Sequence, residues 1–154
     1  MTHYVAEELR VRRDRLFAQA RGEVLDLATD GLDHASDSFD TVLSFLYLCT
    51  VDDLDATLRR IDALLAPGGR LLALEHVRGT GWRGRLQDAS TPLWRHVAGG
   101  CRADRDPIYA MRRAGFAVTD CDRFTVHRGL PIVAPHISAV AVRRVAPSTE
   151  RVAE

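Results

Sequence analysis

The residues able to do chemistry are few and scattered. His76 closes the apolar run Arg70 to Val77, RLLALEHV; an imidazole titrates near about 6.5, so it can serve as a base close to neutral pH. A histidine at a strand end is equally well a structural residue. Trp82 and Trp94 can line an apolar acceptor pocket, or can simply pack the segment Gly79 to Gly100 onto its neighbours. The three cysteines, Cys49, Cys101 and Cys121, are odd in number and lack C-x-x-C spacing, which argues against a disulfide framework and a structural zinc site. Cys49 and Cys101 read as buried small hydrophobes, and nothing near them in the sequence would activate a nucleophile. His3, His34, His76, His96, His127 and His136 form no H-x-x-x-H or H-x-H pair, so no metal centre is expected.

The chain that must position these groups has 154 residues, 46% hydrophobic and 27% charged, enough for one domain with a real core. Its 21 basic residues are all arginine and balance 21 Asp and Glu. No global field therefore favours nucleic acid or an anionic membrane. Charges throughout Met1 to Leu16 leave no apolar core for a secretory signal, and Thr41 to Val51 is too short to span a bilayer, so a cytoplasmic location is expected.

Residues 3 to 20 place Val5, Leu9, Leu16, Phe17 and Ala20 on one side of an amphipathic helix that ends at Arg21-Gly22. Its charges read as a solvated face or, alternatively, as a partner-binding stripe. Glu23 to Ala28 reads as a buried strand and Thr29 to Ser38 as a loop, with a second strand from Phe39 to Phe45. Asp52 or Asp53 can cap a helix carrying Leu54, Leu58, Ile61 and Leu65, stopped by Pro67-Gly68-Gly69. RLLALEHV then suits a central parallel strand covered on both faces. Gly79 to Gly100 predicts helical pieces broken around Thr91-Pro92, a lid or insertion. A helix starts at Asp106-Pro107 and ends at Gly115, two strands cover Phe116 to Asp120 and Ile137 to Val142, and residues 146–154 form a flexible tail. The alternation is that of an open α/β sheet ending in a pair that can be antiparallel.

Ser38-Phe39-Asp40-Thr41-Val42, Leu46 to Val51 and Leu65-Ala66-Pro67-Gly68-Gly69-Arg70-Leu71-Leu72 resemble the central and later strands of class I S-adenosylmethionine-dependent methyltransferases. Glu75-His76-Val77, Trp82, Gln87, Pro92-Leu93-Trp94, Gly100-Cys101, Arg105, Ala114-Gly115-Phe116 and Pro135-His136-Ile137 are similar in order and spacing to the methyltransferase-like 7 group and its bacterial relatives. The resemblance covers roughly residues 38 to 143 and implies methyl transfer from S-adenosylmethionine to a small-molecule acceptor, alkyl thiols among them. It implies a role for Asp26 in orienting the amino-acid end of the cofactor, although a strand-end capping Asp accounts for it as well. Asp30 is a further candidate contact, or plain turn chemistry before Gly31. Ser44 and Phe45 end a strand where ligands settle in open α/β sheets and complete the candidate cofactor set, Phe45 also reading as core. His76 is then the candidate base for a thiol acceptor, with Trp82 and Trp94 the candidate pocket walls.

The departure from the family lies upstream. Between Val24-Leu25-Asp26-Leu27-Ala28-Thr29 and Ser38 there is no glycine-rich turn and helix, no second strand with a terminal acidic residue and no third strand. By element count about 60 residues of the usual fold are absent. Glycines and a helix N-terminus let the backbone hold the ligand, so the loss bears on activity. The segment at Val24 aligns with the family's first strand or, with Asp30-Gly31 as an acidic turn, with its third. The first reading leaves the order 1-4-5-7-6 of the family's 3-2-1-4-5-7-6 contiguous, and is preferred because contiguous strands can bury a core. The expected fold is thus a shortened Rossmann-like α/β methyltransferase fold with a mostly parallel sheet, flanking helices and an antiparallel final strand. A connection of about ten residues between parallel strands is short and poorly covered, and the exposed edge it leaves favours pairing with a second copy. The function expected is a methyltransferase acting on a small acceptor. The alternative is a catalytically silent remnant serving dimerisation or protein interaction.

Overall fold

A computed structural model describes residues 2–127 and 130–145. The tail expected at 146–154 lies outside the described residues. Helix α1 (Thr2–Phe17) leads into β1 (Val24–Asp26), the single turn α2 (Leu27–Asp30), β2 (Phe39–Phe45), α3 (Leu54–Leu64), β3 (Leu65–His76), α4 (Gly81–Val97), α5 (Pro107–Arg113), β4 (Ala117–Thr125) and β5 (Pro135–Val142). The five strands form one sheet in the order β1-β2-β3-β5-β4. β1, β2 and β3 are parallel, and β5 lies antiparallel between β3 and β4. This is the α/β Rossmann-like arrangement expected, with the antiparallel strand last in the chain.

Alternation along β3 separates two cores. Leu71 and Ala73 join Leu58, Ile61, Met111 and Phe116 under α3 and α5. Leu72 and Leu74 join Leu9, Leu16 and Val140 under α1. α3 forms where its apolar period and cap agree: Asp53 Oδ1 accepts from Ala56 N–H at 2.8 Å, and Leu58, Ile61 and Leu64 are buried. Asp53→Ala is expected to cost about 1 kcal/mol, read as a lower urea midpoint with an unchanged slope.

Three expectations are corrected. The segment after Gly79 is not broken at Pro92, which lies within the continuous helix α4. Tertiary bonds hold the helix there: Gln87 Oε1 accepts from Gly79 N–H at 2.7 Å, and its Nε2 donates to Val77 O at 3.2 Å and Ile132 O at 2.8 Å. The strand expected at Phe116 to Asp120 continues to Thr125 because β5 pairs with it throughout. The strand expected over Glu23 to Ala28 spans only Val24–Asp26 and passes into α2; the connection beyond it to β2 is short and largely exposed, as expected, and is tied down by hydrogen bonds. Arg60 on α3 donates to the carbonyls of Leu32 (3.1 Å) and His34 (2.5 Å), Asp37 N–H donates to Ala63 O at 2.9 Å, and Arg143 bonds Asp37 and Leu65 O. At its entry Gly22 has φ 63°, and a Cβ there would sit 2.0 Å from Asp40 Oδ2, the atom that accepts Glu23 N–H. Only glycine fits.

Candidate functional site

The carboxyl ends of β2 and β3 carry the chemistry. Immediately after β2, Leu46 takes φ 52°, a left-handed conformation that a leucine adopts only when its surroundings enforce it. The turn at Tyr47 to Cys49 points three successive N–H groups at one carboxylate. Glu75 Oε1 accepts from Tyr47 N–H and Leu48 N–H at 3.1 Å each and from Ser44 Oγ at 2.6 Å, while Oε2 accepts from Cys49 N–H at 3.2 Å. Glu75 is fully buried. Burial pushes its carboxyl above the usual value, against the four donors that favour the anion. The result is a backbone nest filled by the protein's own carboxylate.

Holding Cys49 this way brings it beside the next residue of β3. His76 Nδ1 lies 3.5 Å from Cys49 Sγ and 3.3 Å from Cys101 Sγ. Cys101 arrives from the loop after α4, and Arg102 N–H donates to Cys49 O at 2.7 Å, locking that loop to the turn. Both cysteines are buried and His76 is half-buried. Trp94, Ala98, Leu46, Ile132 and Val133 wall the two cysteines and Ala103. The thiols behave as a pair: Cys49 Sγ donates to Leu46 O at 3.5 Å, while the adjoining Cys49 thiol, then His76, draw the Cys101 thiol down towards the thiolate. The neighbouring Cys101, then burial, push the Cys49 thiol up. Beyond His76 sits His136, with ring centroids 4.7 Å apart. Next to it a cleft of about 190 Å³ opens between the start of α4 and the β4 and β5 ends, lined by Val77, Arg83, Phe124 and His136 among others.

Of the residues picked from the sequence, His76 and Trp94 meet around Cys101. Trp82 does not join them: it lies 60% exposed on the first turn of α4, with the Arg83 guanidinium 5.0 Å from its ring. Ser44 is buried with its hydroxyl committed to Glu75. Phe45 packs towards α1, with Leu72 and Leu74. Both end β2, but β1, β2 and β3 follow one another in sequence order, so these strands make no reversal and no switch-point crevice. Asp26 caps α2, its Oδ1 accepting from Ala28 N–H at 3.0 Å, and Asp30 Oδ2 accepts from Asp26 N–H at 2.9 Å. Along the chain Cys49 and Cys101 have no activating neighbour, whereas the structure puts an imidazole against both. Separations of 27 and 25 residues hide the grouping from any spacing rule. Glu75 enters the sequence reading only within the Glu75-His76-Val77 resemblance, with no role attached; its physical signal is a carboxylate inside an otherwise apolar central strand.

A family model described as a methyltransferase domain matches residues 1–71. The human thiol S-methyltransferase TMT1A is 30% identical over 141 residues, 90% of this chain and 55% of the relative. TMT1B of Mus musculus is 32% identical over 146 residues, 93% of this chain and 57% of the relative. The chain thus spans about half the length of the curated relatives it matches. Among solved structures, an S-adenosylmethionine-dependent methyltransferase of Thermotoga maritima superposes with a TM-score of 0.64 at 14% identity, covering 89% of each chain. The [4+2]-cyclase SpnF superposes with a TM-score of 0.55 at 15% identity, covering 74% of this chain and 54% of its own. A cyclase on the same scaffold shows that the fold by itself does not fix the reaction.

The residues after β1 fit S-adenosylmethionine in part. Asp26 and Asp30 place carboxylates at the carboxyl end of β1, where an ammonium or ribose hydroxyls can be received. The Asp26 N–H and the Thr29 hydroxyl hold the Asp30 carboxyl below its ordinary value. Beyond β1 the chain makes one helical turn and reaches the lone Gly31, with φ 71°, rather than a cradle of glycines.

Proposed function

We propose that this chain, which has the fold of the class I S-adenosylmethionine-dependent methyltransferases and is related in sequence to the thiol S-methyltransferases, acts in methyl transfer from S-adenosylmethionine to a small-molecule thiol. The observation that carries this reading is the placement of His76 at the carboxyl end of the central strand β3, against the Trp94-walled thiol pair and beside His136, which itself lines a cleft. When bound, the cofactor supplies an electrophilic methyl group. The rest is orientation, for which no covalent nucleophile is needed. His76 is placed to promote loss of the acceptor's S–H proton, since the thiolate is the reactive form. The cleft beside His136 has Val77 and Phe124 in its wall together with Arg78, Arg83 and Arg123, and the Glu75-filled nest fixes the turn that supports the site. Asp26 and Asp30 are the cofactor contacts in this reading.

Calorimetric titration with S-adenosylmethionine and its demethylated product tests it. Without a glycine cradle, binding is expected at a Kd of about 0.1–1 mM, roughly −5 kcal/mol, accompanied by methylated product from an alkyl thiol. No heat at about 10 mM ligand, from protein with a cooperative melting transition, would reject the reading. A second reading, a silent module that pairs with another copy, is favoured by the three-residue β1 at the sheet edge, where Val24 is partly exposed. It predicts no heat together with a dimer mass by light scattering.

A further inference from the structure

The thiol pair and imidazole do more than pack. The Sγ atoms of Cys49 and Cys101 and a ring nitrogen of His76 all lie within 4.8 Å of one another. A tetrahedral zinc ion, with Zn–S of about 2.3 Å and Zn–N of about 2.05 Å, sets S···N near about 3.6 Å and S···S near about 3.8 Å. The observed S···N separations are 3.5 Å and 3.3 Å, within a few tenths of an ångström of that value, and the two sulfurs lie within 4.8 Å of each other.

The ligands are also held from behind. Cys49 is fixed through its N–H to Glu75 and its carbonyl to Arg102 N–H, His76 is the last residue of β3, and Cys101 N–H donates to Ala98 O at 3.1 Å. Such pre-set ligands lose little freedom on binding an ion. Two sulfurs and an imidazole select a borderline-soft cation rather than magnesium or calcium. Three protein ligands leave the fourth tetrahedral position free, the pattern of reactive rather than structural zinc sites. Both cysteines are buried and only His76 is half-exposed, so that position is reached from the His76 side, where the His136 ring stands 4.7 Å away.

We propose that Cys49, His76 and Cys101 bind a zinc-class ion whose fourth position receives the acceptor thiol. The proposal rests on the methyl-transfer reading for the identity of the acceptor, and it specifies how the acceptor loses its proton. The acceptor S–H bond breaks, the proton leaves to solvent, and the sulfur lone pair forms the S–Zn bond. His76 acts through Nδ1 as a ligand, and the metal-bound sulfur is held as thiolate at neutral pH.

The test uses the full chain, reduced and stripped with a chelator, and Co²⁺ as the spectroscopic stand-in for Zn²⁺, with no cofactor present. One equivalent of Co²⁺ is expected to give thiolate-to-cobalt charge transfer and the intense d–d bands of a tetrahedral site, and one equivalent of Zn²⁺ to displace it. Cys49→Ser and Cys101→Ser should each remove about half of the charge-transfer absorption and weaken Zn²⁺ binding at least about 100-fold. Cys121→Ser, at the exposed third cysteine, should change neither. An alkyl thiol added to the Co²⁺ form should strengthen the charge-transfer band as a third sulfur binds. A reduced, cooperatively melting wild-type protein that shows no such band would overturn the site. A band that no thiol alters would overturn the acceptor's place on the metal, whatever the cofactor titration shows. Because these readouts need no S-adenosylmethionine, failure here and failure of the methyl-transfer reading are distinguishable.

Discussion

Glu75→Ala is expected to cost about 3–5 kcal/mol of folding stability, the largest effect of any single substitution in the site. The carboxylate is the common acceptor for the N–H groups of Tyr47, Leu48 and Cys49 and for the Ser44 hydroxyl. Removing it strands four donors where water has little access, and each buried unpaired group costs about 1–3 kcal/mol before relaxation. The strain at Leu46, with φ 52°, then loses the contact that sustains it, and the turn can relax. Glu75→Gln separates the parts. Its amide oxygen can serve the Ser44, Tyr47 and Leu48 donors, but its NH₂ would oppose Cys49 N–H, so about 1–2 kcal/mol should be lost. Urea unfolding of the two variants against the parent checks both. Equal losses for Ala and Gln would show that the charge, and not the set of donors, holds the turn.

Acid is expected to destabilise the protein through His136. Only 2% of this residue is exposed. Its Nδ1 bonds Ala134 O at 3.0 Å, its Nε2 has no partner among the described residues, and it stacks on Phe124 at 5.4 Å with 13° between the rings. Burial, then the neighbouring His76, lowers its pKa from 6.5 to about 4. Between those values the unfolded chain takes up a proton that the folded chain refuses. Stability from this residue is therefore fully present above about pH 6.5 and is lost as pH falls towards 4. Between pH 7 and 4.5 the loss is about 2 kcal/mol. Buried Glu75 is displaced upward and acts in the opposite sense over acid pH, so the measurement should be differential. His136→Phe keeps the stack and removes the titration. Its stability change between pH 7 and 4.5 should be smaller than the parent's by that amount, and parallel pH profiles would refute the assignment.

The parts of the fold legible in the sequence are those where local preference and tertiary packing agree. Residues 54–64 advertise a helix because the cap at Asp53 and the spacing of Leu58, Ile61 and Leu64 say the same thing, and the core accepts that face. The apolar run ending at His76 is a central strand for the same reason, with one core on each side. Pro92 misleads because α4 is anchored by tertiary contacts that a local rule does not see, Gln87 bonding Gly79 N–H, Val77 O and Ile132 O. At the site, His76 and Trp94 are readable from their positions at element ends. The cysteines are not, since their partnership exists only after β2, β3 and the loop beyond α4 are assembled. Trp82 shows the converse: a residue type suited to a binding wall, placed by its helix register facing outward.

Arg143 has a bearing on how the chain comes to be folded. It lies just past β5, its N–H bonds Gly69 O at 2.8 Å, and its guanidinium reaches Asp37 across 106 residues of sequence and Leu65 O across 78. The segment joining the first two strands is thus secured by a residue made 106 positions later than Asp37. Contacts of such long range form late, after the loop-closure entropy between them has been overcome. During synthesis the early strands must wait for Arg143 before this clasp can close, and until then β1 and its neighbour are open to pairing with the wrong strand.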